Sequence, residues 1–316
     1  MPIDPNLLAA LADLGVAPPA ESDDPQEQRK RAFEYEQAVY PYLGPAGPEL
    51  PIREHVVPVD GYPDVLVRLY YPNEPTTGVA VPVCLFFFGG AFRQGGLHHP
   101  SVAAMCALRA SRAGVVIAAV SYALAPEHPY PAALEQGYAA LDWLVRDAEA
   151  LGIDRSRIAV SGQSAGGNLA AALTLVNRDR AGHPLRLQIL EVPGLDLTMG
   201  HLDRAAADLA AEQWAALEHA MDQYVPPTQD RLEPRVSPLL AADFTELPPA
   251  CIFTAEVDPL RGDGEAYAAA LAGARVPVAA MRLIGLPHDG GAYELVSNTA
   301  RTAQAAVAEA LRTLHT

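Results

Sequence analysis

Residues 161–168 read Ser-Gly-Gln-Ser-Ala-Gly-Gly-Asn, and the rest of the chain is organised around this stretch. The preceding residues 157–160 (Arg-Ile-Ala-Val) form a short, largely apolar run that is typical of a buried strand. Residues 169–175 are rich in good helix formers. A G-x-S-x-G motif at a strand-to-helix turn exposes a nucleophilic serine, which here is Ser164. No Gly-Lys-Ser/Thr follows, so a phosphate-binding loop is excluded.

The length of 316 residues is ample for one large α/β domain with insertions. The 50% share of hydrophobic residues predicts a packed core. The net charge of −16 argues against nucleic acid and anionic membranes as partners. No apolar run reaches transmembrane length, and the first residues do not resemble a secretion signal. The three cysteines lie far apart in apolar runs, which favours buried free thiols over disulfides. We therefore expect a soluble, reduced, cytoplasmic protein.

Metal and cofactor chemistry finds no support in the sequence. No group of His, Cys and carboxylate residues has the spacing of metal ligands, so we expect no metal site. Lys30 is the only lysine, and it lies in a charged run that is typical of a solvated helix face. A Schiff-base lysine and a Ser-x-x-Lys pair are therefore excluded. We expect a reaction that needs no cofactor.

Strand and helix patterns alternate along most of the chain, which predicts an α/β fold with a mostly parallel eight-stranded sheet flanked by helices. The first two strands form a hairpin-like pair. The eight predicted strands are residues 52–59, 65–71, 81–88, 115–121, 157–160, 185–192, 250–255 and 278–283. The predicted helices include residues 99–112 and 132–150 and a last helix from about Ala292 to Leu314.

The alternation is interrupted once, between Asp196 and Leu247, where a helical stretch from Asp203 to Tyr224 precedes a proline-rich loop. An insertion at this point lies above the carboxyl ends of the strands, where ligands bind in open α/β sheets. We therefore predict a helical cap, and four parts of the chain: an N-terminal cap segment (1–50), the first part of the core (51–196), a cap insertion (197–247) and the second part of the core (248–316).

A serine nucleophile needs a base, and the base needs a carboxylate that orients it. On a strand–turn–helix of this kind the three residues follow in the order Ser, Asp/Glu, His. Of the nine histidines only His288 and His315 lie beyond the candidate carboxylates, and His315 is the penultimate residue, where we expect fraying. His288 is therefore the predicted base. Its loop lies between the last strand and the last helix.

Three carboxylates occupy the place of the acid, namely Glu256, Asp258 and Asp263. Asp258 is favoured because the following Pro259 ends the strand. Glu256 is the alternative, whereas Asp263 is also placed to cap the next helix.

An oxyanion hole requires backbone N–H donors that point at the developing charge. Ala165, directly after the nucleophile, is expected to supply one donor. A glycine loop after the third strand, Phe-Gly-Gly-Ala-Phe at residues 88–92, is placed to supply others. It does not match the G-x-G-x-x-G pattern of a dinucleotide loop.

These motifs resemble the hormone-sensitive-lipase-like branch of the α/β-hydrolases, the bacterial carboxylesterase group. The resemblance covers essentially the whole chain. It is carried by residues 120–133 (Val-Ser-Tyr-Ala-Leu-Ala-Pro-Glu-His-Pro-Tyr-Pro-Ala-Ala), 162–168, 237–240 (Ser-Pro-Leu-Leu), 247–250 (Leu-Pro-Pro-Ala) and 258–261 (Asp-Pro-Leu-Arg).

The resemblance implies an α/β-hydrolase fold with a helical cap that the N-terminal segment and the mid-chain insertion form together. It implies Ser164 as nucleophile, Asp258 as acid and His288 as base. The implied oxyanion donors are the N–H groups of Gly90, Ala91 and Ala165. In this family Glu127 belongs to a buried structural motif near the site and has no catalytic role.

Three positions depart from the family pattern. The family has His-Gly-Gly-Gly where this chain has Phe88 and the three residues after it, Gln163 replaces the usual Asp, Glu or Thr, and Asp289 replaces a usual glycine. The leading hypothesis is a serine carboxylesterase that acts on small to medium acyl esters, as a monomer or homodimer. The second hypothesis is a non-hydrolytic biosynthetic step on the same scaffold, such as elimination, cyclisation or acyl transfer. A binding protein on a hydrolase scaffold is the third.

Overall fold

The computed structural model describes residues 3–207 and 209–316. Eight strands form one sheet in the order β1-β2-β4-β3-β5-β6-β7-β8. The pairs β1/β2 and β2/β4 are antiparallel, and the other pairs are parallel. The strands are β1 Ile52–Val57, β2 Val65–Tyr70, β3 Val81–Phe87, β4 Val116–Ser121, β5 Ile153–Gln163, β6 Leu185–Glu191, β7 Ala250–Val257 and β8 Val278–Pro287. This architecture confirms the predicted sheet.

Helices alternate with the parallel strands and cover the sheet. Helix α3 contacts α9, and α4 contacts α6. The helices are α1 Pro5–Leu14, α2 Pro25–Leu43, α3 Pro100–Ala113, α4 Ala132–Arg146, α5 Ala148–Leu151, α6 Ala165–Asp179, α7 Ala211–Tyr224, α8 Arg261–Gly273 and α9 Asn298–Arg312. In the described part of the chain, none of these helices is both long enough and apolar enough to cross a bilayer.

Continuous apolar runs form the central strands because these strands are buried on both faces. Six of the seven residues of β3 are buried, as are the five residues of β4 from Val116 to Val120. The free cysteines Cys84 and Cys106 lie in this buried core, whereas Cys251 is partly exposed. The three cysteines are free, as predicted, but the burial predicted for Cys251 is wrong.

Two helix starts differ by several residues from the sequence-based prediction, and the helix predicted over residues 132–150 is divided at Asp147 into α4 and α5. The helix predicted to start at Asp203 starts at Ala211, because Asp203 is held to the β7–α8 connection: its N–H donates to the Pro259 carbonyl, and its carboxylate pairs with Arg261 at 2.7 Å. Residue 208, within that prediction, lies outside the described residues.

The last helix starts at Asn298 rather than at Ala292. The Ser297 hydroxyl caps it by accepting a hydrogen bond from the Ala300 N–H. His315, which was expected to fray, ends a 3-10 turn, and its ring bonds to the Ala113 carbonyl at 3.0 Å.

The two segments predicted to form a cap both contact the loop after β3. In α7, the fully buried Tyr224 stacks in parallel on Phe92 with ring centroids 3.6 Å apart. In α2, the Arg29 side chain reaches the Arg93 carbonyl at 2.8 Å. The division into core and cap stays a prediction.

Candidate active site

The predicted site residues gather at one edge of the sheet because each directly follows a parallel strand. Phe88 follows β3, Ser164 follows β5, Asp258 follows β7 and His288 follows β8. The carboxyl ends of parallel strands meet at the same edge, which is where open α/β sheets bind ligands.

Ser164 sits on a strained turn between β5 and α6, with φ 53° and ψ −118°. The turn is possible only because glycines flank it. A Cβ on Gly162 would lie 2.0 Å from the Gly166 carbonyl oxygen, and one on Gly166 would lie 2.2 Å from the Phe87 carbonyl oxygen. The Ser164 N–H donates to the Glu191 carbonyl at 2.8 Å, which ties the turn to the end of β6. The serine hydroxyl is thereby held at the start of α6.

A hydrogen-bonded chain joins the three residues that the sequence predicted as nucleophile, base and acid. The Nε2 of His288 lies 2.8 Å from the Ser164 Oγ, and its Nδ1 lies 2.7 Å from the Asp258 Oδ2. Asp258 is 1% exposed, and its other carboxylate oxygen accepts from the Leu260 N–H at 2.9 Å. This arrangement can transfer a proton from the serine to the histidine while the aspartate fixes the ring.

Two opposing effects act on the pKa of His288. Burial lowers it, but the Asp258 carboxylate and the nearby Asp289 raise it by more, so that the pKa lies above its ordinary value of 6.5. A raised pKa makes the ring a better proton acceptor, provided that the pH is high enough to keep it neutral.

The other two carboxylates considered as the acid have different partners. Glu256 accepts from the Gly285 N–H at 2.7 Å and so holds β8. Asp263 does not cap α8, as considered from the sequence, but lies inside the helix and accepts from the N–H groups of Leu195 and Asp196. Burial raises the pKa of Asp263 to about 7. Neither carboxylate contacts His288 by a hydrogen bond among the described residues.

The glycine loop after β3 lies against the serine turn. A Cβ on Gly89 would lie 3.2 Å from the Gln163 carbonyl oxygen and 3.4 Å from the Ser164 Cβ, so a larger residue would crowd the backbone of the serine turn. Gly90 and Ala91 have φ angles of 131° and 51°. Within residues 3–207 and 209–316 their N–H groups donate to no main-chain acceptor. An oxyanion donor needs an N–H without a main-chain partner, and the Ala165 N–H, at the first position of α6, meets the same condition.

Packing and a tyrosine hold Phe88, where the related family has histidine. The Phe88 ring is 1% exposed and stacks on Tyr122, with centroids 4.2 Å apart. The Tyr122 hydroxyl donates to the Phe88 carbonyl at 2.8 Å. The sequence analysis placed Tyr122 within the motif of residues 120–133 but predicted no role for it. A tyrosine hydroxyl next to an otherwise apolar strand was the one sign that it forms a specific hydrogen bond.

A buried polar network behind the site was missed altogether. Arg109 of α3 pairs with Glu191 at 2.7 Å, and Gln304 of α9 accepts from Arg109. The Gln304 amide also donates to the Gly291 carbonyl at 3.0 Å, three residues after His288. The network thus joins the strand end that anchors Ser164 to the loop that carries His288. No local sequence pattern predicts contacts between residues so far apart.

Glu127 is not buried, contrary to the family-based expectation. Its side chain is 42% exposed and pairs with Arg29 at 2.6 Å. The partner comes from α2 in the N-terminal segment.

A serine, histidine and aspartate joined in this way on a mostly parallel sheet define the α/β-hydrolase class. The alpha/beta hydrolase fold family matches residues 84–290, and the chain belongs to it. This confirms the resemblance to the hormone-sensitive-lipase-like branch that the motifs indicated.

Known proteins resemble the chain over most of its length. The carboxylesterase NlhH of Mycobacterium tuberculosis is 41% identical over 239 residues, which are 73% of this chain and 72% of that protein. The ethyl acetate hydrolase of Pseudomonas putida is 37% identical over 226 residues, 71% of this chain and 70% of that one. The solved structure of a hyperthermophilic esterase from the archaeon Pyrobaculum calidifontis has a TM-score of 0.86 at 31% identity and covers 100% of this chain and 99% of that chain.

Proposed function

We propose that the protein is a serine carboxylic-ester hydrolase that acts on small to medium acyl esters through an acyl-enzyme intermediate. The observation that carries this proposal is the position of His288, within hydrogen-bonding distance of both the Ser164 hydroxyl and the Asp258 carboxylate. The names of the relatives, among them a carboxylesterase and an ethyl acetate hydrolase, support ester hydrolysis over a non-hydrolytic step.

In the acylation half, the Ser164 Oγ attacks the ester carbonyl carbon while His288 accepts the hydroxyl proton. The carbonyl electron pair moves to its oxygen, and the N–H groups of Gly90, Ala91 and Ala165 stabilise the resulting oxyanion. The tetrahedral intermediate collapses, the bond to the alcohol oxygen breaks, and His288 protonates the leaving alkoxide. Asp258 stabilises the imidazolium throughout.

In the deacylation half, a water molecule gives its proton to His288 and attacks the acyl carbon. The second tetrahedral intermediate releases the carboxylic acid, and Ser164 regains its proton from His288. The reaction as written uses no metal or cofactor.

Inhibitor labelling and an ester panel test the proposal. An organophosphate or a sulfonyl fluoride should add once, at Ser164, as located by peptide mass mapping. The protein should hydrolyse p-nitrophenyl esters of graded chain length with a preference for short to medium acyl groups. Labelling elsewhere, or full activity in Ser164→Ala, would contradict the assignment. Intact labelling without ester turnover would favour the non-hydrolytic alternative.

We further propose that the protein is cytoplasmic, works as a monomer or homodimer, and takes a small-molecule ester rather than nucleic acid as its partner. The net charge of −16 supports the last point, because it disfavours polyanions.

A further inference from the structure

The oxyanion loop, residues 88–95, must keep its N–H groups in place without the histidine of related proteins. At its start, Tyr122 holds the Phe88 carbonyl at 2.8 Å. In its middle, the N–H groups of Arg93 and Gln94 both donate to the Gly90 carbonyl at 3.0 Å, which closes a single turn. Ala91 and Phe92 have φ angles of 51° and 62° within this turn. A positive φ is costly for residues other than glycine, so contacts outside the loop must maintain the conformation.

Arg29 of α2 supplies such contacts at the far end of the loop. Its Nε donates to the Arg93 carbonyl at 2.8 Å, and its Nη2 donates to the Ala125 carbonyl at 2.9 Å. The two Nη atoms also bind both oxygens of Glu127, at 2.9 and 2.6 Å. The planar guanidinium suits this task, since its donors have a fixed geometry that lysine lacks.

The three residues that accept hydrogen bonds from Arg29 belong to two loops that are already joined. These loops follow the neighbouring parallel strands β3 and β4. The Ala125 N–H donates to the Phe92 carbonyl at 2.9 Å, next to the carbonyl of Arg93 that Arg29 holds. Arg29 therefore fixes the oxyanion loop against the loop after β4. A second contact from α2 lies beside it, where the Gln28 amide donates to the Gln94 side chain at 3.2 Å.

We propose that Arg29 is a positioning residue for the reaction, which sets the oxyanion loop from the N-terminal segment. This inference rests on the proposed esterase function. Arg29 does not touch the substrate but acts through the backbone of residues 90–93. The N-terminal segment is accordingly part of the machinery that stabilises the transition state, in addition to any wall that it forms around the substrate.

The ion pair with Glu127 contributes less to holding the oxyanion loop than the two hydrogen bonds from Arg29 to backbone carbonyls. Hydrogen bonding to Arg29 lowers the pKa of Glu127, so the pair is charged at neutral pH. However, Glu127 is 42% exposed, and exposed pairs contribute little to stability. The two carbonyl acceptors are what connect Arg29 to the loop, and they remain when Glu127 is neutralised.

Three variants separate these contributions. Arg29→Met removes the carbonyl bonds and the ion pair but keeps a similar stem. Glu127→Gln removes the partner charge alone. Lys30→Met is the matched control, because it removes a positive charge from the adjacent position of α2, where the side chain is 64% exposed. For each variant we measure kcat, KM, the melting temperature and the affinity for a trifluoromethyl ketone. The Ser164 oxygen adds to the carbonyl carbon of such a ketone while the serine proton passes to His288, and the carbonyl electron pair moves to the ketone oxygen, which then lies in the hole.

Arg29→Met should lower kcat by about 10- to 100-fold, which is less than the roughly 10²–10³-fold loss for removing an oxyanion donor outright. KM should stay within about twofold, because the hole acts on the transition state rather than on the bound ester. The affinity for the ketone should fall by the same factor as kcat/KM. Glu127→Gln should lose only a small part of kcat, and Lys30→Met none.

Unchanged kcat and ketone affinity in folded Arg29→Met would overturn the inference. A rise in KM with an altered chain-length preference would overturn it too, because such a result would show that Arg29 helps to form the substrate-binding pocket. If Arg29→Met does not fold, Arg29→Gln, which retains one donor, is measured by the same criteria. A wild-type protein that neither cleaves esters nor binds the ketone would contradict the proposed function instead.

Discussion

Partners, rather than position in the sequence, distinguish the two carboxylates at the end of β7. Glu256 and Asp258 are two residues apart and both buried. Glu256 accepts from a backbone N–H of β8, whereas Asp258 accepts from the ring of His288. A strand places successive side chains on alternate faces, so residues two apart share a face, and the loop after Val257 is what turns Asp258 toward the histidine.

The first prediction at this scale concerns the acid. Asp258→Asn should lower turnover by a factor on the order of 10⁴, since the neutral amide favours the wrong tautomer of His288. Glu256→Gln is the matched control and should be much milder, because its amide oxygen can still accept from Gly285. Steady-state kinetics on a p-nitrophenyl ester measure both. The reverse ranking would identify Glu256 as the acid.

A second prediction uses Asp289, which raises the pKa of His288. The base must be neutral to act, so kcat/KM should rise with pH through a midpoint above the ordinary value of 6.5. Asp289→Asn removes a negative charge that stabilises the imidazolium, so the midpoint should move to lower pH. Asp60→Asn, an equal charge change in the exposed β1–β2 turn, should not move it. A shift to higher pH, or equal shifts in both variants, would contradict this account.

At the scale of elements, the strands and the order of the site residues could be predicted from the sequence because each depends on a local signal. Apolar runs indicated the buried strands, and the glycines of residues 162–167 indicated the sharp turn. The contacts of Tyr122, Arg109 and Arg29 could not be predicted, since each joins residues that only the finished sheet brings together. Helix starts were misplaced where a tertiary contact, such as that of Asp203 with Arg261, competes with helix propensity.

The next prediction concerns how the packing of Phe88 holds the oxyanion loop. Phe88→Ala removes a buried ring that stacks on Tyr122, so it should cost about 3–5 kcal/mol of stability. If packing holds the loop, ester turnover should fall as well, because the cavity opens beside the N–H donors. Melting temperature and kcat measure the two effects.

The control is Leu141→Ala, which opens a cavity at a fully buried position on α4. It should cost a comparable amount of stability and leave turnover unchanged. Loss of stability alone in Phe88→Ala, with very low turnover of simple esters in the wild type, would favour a non-hydrolytic role.

At the scale of the whole molecule, the N-terminal segment reaches both sides of the proposed site. Arg29 lies against the loops after β3 and β4, while Asp4 donates from its N–H to the Gly285 carbonyl of β8 at 2.8 Å. The Asp4 carboxylate also accepts from the Ser297 hydroxyl, and Leu7 is fully buried. One short segment thus connects the strand before His288 to the loop proposed to hold the oxyanion.

Deleting residues 1–20 tests the predicted cap role of this segment. The deletion removes α1 but keeps α2 and Arg29, so Ser164 should stay reactive toward an organophosphate. The chain-length preference for p-nitrophenyl esters should change, or apolar surface should become exposed and bind a hydrophobic dye. An unchanged ester profile with normal stability would contradict a cap role.

The distance along the chain between Ser164 and His288 has a consequence for the protein during its synthesis. The two residues are 124 positions apart, and chains grow at about 5–20 residues per second. The serine is therefore incorporated about 6–25 seconds before its base is. Throughout that interval the chain lacks His288, so the proton transfer proposed for Ser164 cannot take place in it. Ester cleavage in a translation reaction would accordingly count only those chains that have been extended past His288 and have folded.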